Sequence, residues 1–255
     1  MENQFFGKTI LITGASNGLG RMCAKSFESK GASLIICGRN REQLDNLQSG
    51  FSSPDEHILF EGDLTEPSKV GELASLAKAK KRIDVILHVM GGGLGKREPL
   101  ITHEDFDLLF RTNMGSGAEL NRHLIPTMVA HGRGHVLHVG SVASEQAVAS
   151  VGYNSVKAAL AAYVRSLGRE LASTGVVVNG ILPGGYQAPG NSWERLEKKS
   201  PEVVENFISE KQPRGKLGSY EEIIPLIEFL CSENATMMTG CCVPIDGGEG
   251  ITYTG

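Results

Sequence analysis

Short apolar runs alternate along this chain with longer stretches in which apolar residues recur at helical spacing. The runs predict strands near residues 8–13, 33–38, 57–61, 83–89, 134–140, 175–181 and 241–245, and the stretches between them predict helices near 18–30, 40–48, 67–80, 103–131, 151–173 and 219–232. Strand and helix in turn, joined by right-handed crossovers, make an α/β chain with a parallel, doubly wound sheet. One stretch breaks the rhythm: residues 185–218 are rich in polar residues yet carry Tyr186, Trp193, Leu196 and Phe207. Insertions of that length are usually functional or mobile.

The first strand, helix and second strand form a βαβ unit, KTILITGASNGLGRMCAKSFESKGASLIICGRN. Ile10, Leu11 and Ile12 read as a buried strand, and Gly14, Gly18 and Gly20 fall in the turn and first helical turn that follow. Without Cβ atoms the backbone can approach a diphosphate there, and the helix N-terminus offers it free N–H groups.

A second constellation lies further on. Tyr153 and Lys157 stand four residues apart in GYNSVKAALAAYVRSLGREL, close to one helical turn, so the phenol and the ammonium emerge on one face. A free phenol, with a pKa of about 10, is a poor acid or base near neutrality. The adjacent ammonium is expected to pull it down; a shift of roughly three units corresponds to about 4 kcal/mol. Ser141, on the loop after the strand GHVLHVG, is placed to hydrogen-bond a substrate oxygen that Tyr153 protonates or deprotonates.

The segment from Thr13 to Gly20 (TGASNGLG) resembles the TGxxxGxG fingerprint of the short-chain dehydrogenase/reductase family, and the resemblance spans nearly the whole chain. It implies a single Rossmann-type domain, residues 1–255, with seven strands in order 3-2-1-4-5-6-7 and a substrate lid at about 185–218. It also implies a catalytic set of Asn113, Ser141, Tyr153 and Lys157. The cofactor residues it implies are Gly14, Ser16, Asn17, Gly18, Leu19 and Gly20 in the turn, Asp63 and Leu64 at the adenine, and Met90 and Gly91 after the fourth strand. Pro183 and Gly184 near the nicotinamide complete them, with Tyr153 and Lys157 again. In the implied mechanism a hydride passes between nicotinamide and a ketone or secondary alcohol. Tyr153 moves the proton, Lys157 lowers its pKa and holds the ribose, and Asn113 holds a water that links Lys157 to solvent.

Cofactor choice turns on the end of the second strand, where an acid favours NAD and an arginine favours NADP. The acid position is Gly38, Arg39 follows it, and Ser16, Asn17 and Asn40 are available to the same 2′-phosphate. NADP(H) is therefore the expected cofactor, and reduction the expected direction. Three departures from the family pattern stand out: His88-Val89-Met90-Gly91 and further glycines replace NNAG, suggesting an open or mobile loop. Ala188 stands where many members have a threonine, for which Tyr186 or Gln187 is a substitute. The interval from Ser141 to Tyr153 is one residue short.

Composition removes other classes. A net charge of −4 without a basic run gives no reason to propose nucleic acid or a membrane surface. The absence of a long apolar stretch and the seven residues before the first strand predict a cytoplasmic protein. Five scattered cysteines read as reduced, and seven histidines show no metal spacing, so no metal site is expected. Resemblance implies a homotetramer or homodimer. The substrate stays open between a small ketone, such as a sugar derivative or secondary metabolite, and a carrier-bound 3-oxoacyl group, for which Lys96, Arg97, Arg122 and Arg133 are available. A non-catalytic dinucleotide-binding regulator is the alternative on the same fold.

Overall fold

The computed structural model describes residues 4–80 and 82–252. Strand β1 (Thr9–Thr13) explains the architecture. Ile10 and Ile12 pack with Phe27, Leu44 and Leu230 on one side, while Leu11 packs with Leu73, Leu120 and Leu160 on the other. Successive strand residues face opposite ways, so an unbroken apolar run needs helices on both faces. Each fully buried leucine or isoleucine contributes roughly 2 kcal/mol of transfer free energy.

The remaining strands of the sheet are β2 (Ser33–Gly38), β3 (Ile58–Glu61), β4 (Val85–His88), β5 (Gly134–Val139), β6 (Val176–Pro183) and, last in the chain, β9 (Cys242–Ile245). All pair in parallel, in the order β3-β2-β1-β4-β5-β6-β9. Helices α1 (Gly18–Ser29), α2 (Arg41–Gln48) and α9 (Tyr220–Leu230) cover one face. The other is covered by α3 (Pro67–Lys78), α5 (Ser116–Ala130) and α6 (Val151–Leu171). The order reverses between β1 and β4, and the crevice beyond their carboxyl ends is where such sheets bind ligands.

Two regions differ from the sequence expectation. The helix predicted near 103–131 is divided into α4 (His103–Phe110), a π turn at Arg111–Gly115, and α5. The wider turn has local causes: Asn113 Nδ2 donates to the Leu109 carbonyl at 2.9 Å, and Ser116 Oγ donates to the Arg111 carbonyl at 2.9 Å. Such turns cluster at functional sites. The stretch at 185–218 is largely helical. It holds α7 (Ser192–Lys199) and α8 (Pro201–Lys211), closed at the base by a short parallel ladder of β7 (Tyr186–Gln187) and β8 (Gly218–Ser219). No helix among the described residues is long and apolar enough to cross a membrane.

Candidate active site

The glycine turn packs as tightly as its sequence suggests. Gly14 has φ +70°, and a Cβ there would lie 2.9 Å from the Met90 nitrogen; a Cβ on Gly20 would strike the Gly14 carbonyl. These contacts hold the start of α1 against the end of β4. Asn17 caps α1: its Oδ1 accepts from Gly18 N–H at 2.8 Å, and its Nδ2 donates to the Gly190 carbonyl of the lid at 3.3 Å. Asn17, expected at the 2′-phosphate, thus commits its Oδ1 to the cap of α1 and one N–H of its amide to Gly190.

At the end of β2 the hydroxyl of Ser16 lies 2.6 Å from where a Cβ on Gly38 would sit. Arg39 is 72% exposed and reaches to 3.6 Å from the Asp63 carboxylate, so the two residues expected at the adenosine end do converge. Asp63 also accepts from the Thr65 backbone at 2.9 Å and from its hydroxyl at 2.8 Å. Asn40 spends its Oδ1 on the cap of α2, accepting from Gln43 N–H at 2.9 Å. Leu64 is buried beside them, and its carbonyl accepts from Ser116 Oγ.

Ser141, Tyr153 and Lys157 meet at the ends of β5 and α6. Ser141 caps a short 3₁₀ turn, its Oγ accepting from Ala143 N–H at 3.2 Å, and it lies close enough to Tyr153 to influence its phenol. Lys157 is 2% exposed; its Nζ donates to the Val139 carbonyl at 2.9 Å and stands 5.6 Å from the centre of the Tyr153 ring. Burial pushes the lysine down to about 8. Burial also raises the Tyr153 phenol above its ordinary value, with the nearby Ser141 hydroxyl offsetting part of the rise. The lowered phenol anticipated from the sequence is thus reversed here, since desolvation disfavours the phenolate and the ammonium is directed at a carbonyl.

The site therefore joins the glycine turn at the start of α1 to a Ser, Tyr and Lys cluster at the strand ends. A family model described as enoyl-(acyl carrier protein) reductase matches residues 14–249. Gluconate 5-dehydrogenase of Gluconobacter oxydans (strain 621H) is 30% identical over 253 residues, covering 95% of this chain and 94% of its own length. A 3-oxoacyl-[acyl-carrier-protein] reductase of Rickettsia conorii is 29% identical, covering 95% and 96%. L-Sorbose reductase from Gluconobacter frateurii, complexed with NADPH and L-sorbose, superposes with a TM-score of 0.89 at 25% identity, covering 99% of this chain and 100% of its own. The chain belongs to the short-chain dehydrogenase/reductase family.

As a member of that family the chain is an oxidoreductase, and its departures from the family pattern acquire physical meaning. The loop at Met90–Gly95 is anchored, not open: Asn113 Oδ1 accepts from Gly92 N–H at 2.9 Å while its Nδ2 donates to the Gly92 carbonyl at 3.0 Å. With Leu109 also bound, both ends of the Asn113 amide are committed to backbone, so this side chain positions the loop. Gly91 permits the approach, since a Cβ there would sit 2.9 Å from Asn113 Oδ1 and 3.3 Å from Lys157 Nζ.

Of the substitutes for the missing threonine at Ala188, Gln187 turns away to Glu197 at 2.6 Å, whereas Tyr186 is half-buried and packs against the core. Ala188 itself is 3% exposed. Trp193 and Phe207 pack on each other with ring centres 4.4 Å apart, and Phe207 backs onto Gly185, just after Pro183 and Gly184. Sequence reasoning missed Thr13, whose Oγ1 accepts from Met90 N–H at 3.4 Å, and Gly92. The motif PIDGG at Pro244 to Gly248 marked the C-terminal turn, but its polar contacts were missed. There Glu249 accepts from Gly185 N–H and from Gln212 Nε2, each at 2.6 Å, and Gln146 Oε1 accepts from Ile251 N–H at 3.3 Å. No local spacing links these segments; only the sheet topology does.

Proposed function

We propose that this oxidoreductase uses NADP(H) to reduce a small polyhydroxylated ketone, with Tyr153 as the proton donor. The observation that carries the reading is the buried ammonium of Lys157, fixed on the Val139 carbonyl and 5.6 Å from the centre of the Tyr153 ring. When bound, the nicotinamide supplies the hydride. Ser141 orients the substrate oxygen. Tyr153, neutral because burial raises its pKa, holds the proton that this oxygen takes. As the proton leaves, the developing phenolate is stabilised by Lys157, whose charge acts strongly in a desolvated site. Asn113 fixes the loop that borders both groups.

NADP(H) is favoured by Gly38, Ser16 and Arg39. Ser16 fills the space an acidic side chain at position 38 would enter, and the exposed Arg39 suits a 2′-phosphate. The NADPH complex of L-sorbose reductase points the same way. The polyol reading rests on the substrate side: Asp246, Glu249, Gln212 and Gln146 converge after β6 and after Ser141, giving hydroxyl-binding groups. Gluconate and sorbose enzymes among the relatives agree. Of the cations available to the carrier-bound alternative, Lys96 pairs with Asp105 at 2.7 Å and Arg122 with Glu119 at 2.6 Å, while Arg97 and Arg133 are exposed and form no ion pair among the described residues. A cytoplasmic homotetramer is part of the same reading, with Phe106, Leu108 and Phe110 on α4 and Val151 on α6 partly exposed for self-association.

NADPH oxidation against a panel of ketoses, keto-acids and a 3-oxoacyl thioester tests the proposal. Turnover of a ketose or sugar acid, lost in Tyr153→Phe, is the expected result. Turnover of the thioester alone would transfer the chain to the carrier-bound class, and dinucleotide binding without turnover of any substrate would favour the regulator.

A further inference from the structure

The lid tip is fastened to the turn that opens α1. Gly18 N–H donates to the Pro189 carbonyl at 3.0 Å, and Asn17 Nδ2 donates to the Gly190 carbonyl at 3.3 Å. Gly190 has φ +72°, and a Cβ there would collide with the Asn17 amide, so this seat requires glycine. From above, the Glu194 carboxylate accepts from Gly190 N–H at 2.5 Å, and Asn191 caps α7 by accepting from Glu194 N–H at 2.9 Å. The next residue, Arg195, places its guanidinium on the same Gly190 carbonyl that Asn17 uses.

Arg195 is therefore held at the start of α1 by an acceptor it shares with the glycine turn. Its neighbours Glu194 and Lys198 pair with each other at 3.0 Å, whereas Arg195 forms no ion pair among the described residues. One of its five N–H groups is spent on Gly190, leaving the others for an anion. The helix end beside it also favours negative charge, but the Gly18 amide is already taken by Asn17 and Pro189. An additional donor with full charge makes up for that lost amide.

We propose that Arg195 is a ligand of the dinucleotide diphosphate, delivered by the closed lid and compensating for the Gly18 amide that Asn17 and Pro189 engage. This rests on the dinucleotide-dependent reading above. The diphosphate is common to NADPH and NADH, while the 2′-phosphate belongs to NADPH alone, so Arg195 and Arg39 have separable signatures. An arginine serving the diphosphate affects both dinucleotides equally; one serving the 2′-phosphate affects one.

The test is titration of the full-length protein with NADPH and with NADH by nicotinamide fluorescence, for the natural chain, Arg195→Gln, Arg195→Lys and Arg39→Ala. Glutamine keeps a donor for Gly190 but removes the charge. We expect Arg195→Gln to raise both Kd values about tenfold without changing the Tm of the ligand-free protein, consistent with a charge-assisted hydrogen bond. Arg195→Lys recovers part of the affinity, and Arg39→Ala weakens NADPH alone. Unchanged Kd values in Arg195→Gln, or a loss confined to NADPH, would overturn the assignment while leaving the proposed function standing. Failure of the natural chain to bind either dinucleotide would overturn both.

Discussion

Ser16 and Gly38 compete for one space: the Ser16 hydroxyl lies 2.6 Å from the point a Cβ on Gly38 would occupy. The end of β2 therefore cannot take an acid without first displacing the glycine turn. Gly38→Asp alone is expected to weaken NADPH binding at least tenfold without creating useful NADH binding. Adding Ser16→Gly restores room, and the double variant should prefer NADH. Isothermal titration with both dinucleotides distinguishes these outcomes.

Lys157 carries a pH prediction. Burial holds its pKa near 8, so the ammonium stabilising a developing phenolate is lost as pH rises through that value. For reduction, kcat/KM should be flat below about pH 7.5 and fall above about pH 8, well before a free lysine would titrate near 10.4. A profile flat to pH 10 would contradict the proposed role of the charge.

Asn113 makes a structural prediction with a catalytic readout. Asn113→Ala removes three hydrogen bonds to the Gly92 and Leu109 backbones, one of them in the π turn. Two or more buried backbone groups lose their partner, a cost of about 2 kcal/mol that a melting curve would report. The loop beside Lys157 loosens with it, and kcat should fall about a hundredfold while dinucleotide affinity changes little.

Beneath the site, His88 and His138 stack with ring centres 4.3 Å apart, bridged by Asn121. One amide touching both Nε2 atoms presents oxygen to one ring and nitrogen to the other, so the two neutral imidazoles hold opposite tautomers. Burial pushes His88 down to about 4, and burial with the charges of His88 and Lys157 pushes His138 well below its ordinary value. In acid the unfolded chain binds protons that the folded chain refuses. Stability should fall as pH drops from 6.5 toward 4, with His88 alone contributing roughly 3 kcal/mol. Urea unfolding at pH 7 and pH 5 should show a smaller loss in His88→Asn.

The sheet was legible because β1 and β6 are buried on both faces and write that directly as unbroken apolar runs, and because glycines mark the turns after β1 and β2. Tyr153 and Lys157 could be joined from sequence since one helix carries both. The π turn was not legible: besides the local carbonyls of Leu109 and Arg111, Asn113 and Ser116 bond distant carbonyls at Gly92 and Leu64, which no spacing reveals. The helical lid, α7 and α8, was obscured by its polar exposed surface, and the shift in the Tyr153 pKa depended on burial that spacing does not reveal. Arg195 looked like any surface arginine until the lid tip was seen against Asn17.

The most direct test of the central claim is single-turnover oxidation of stereospecifically deuterated NADPH with a responsive ketose, comparing the natural chain with Tyr153→Phe. Deuterium transferred to the product carbinol carbon by the natural chain, with Tyr153→Phe binding NADPH normally yet transferring at least a thousandfold more slowly, is the predicted result. Equal transfer by both proteins would contradict the assignment of Tyr153 as proton donor, and product formed without deuterium from both the 4R- and the 4S-labelled cofactor would contradict hydride transfer itself.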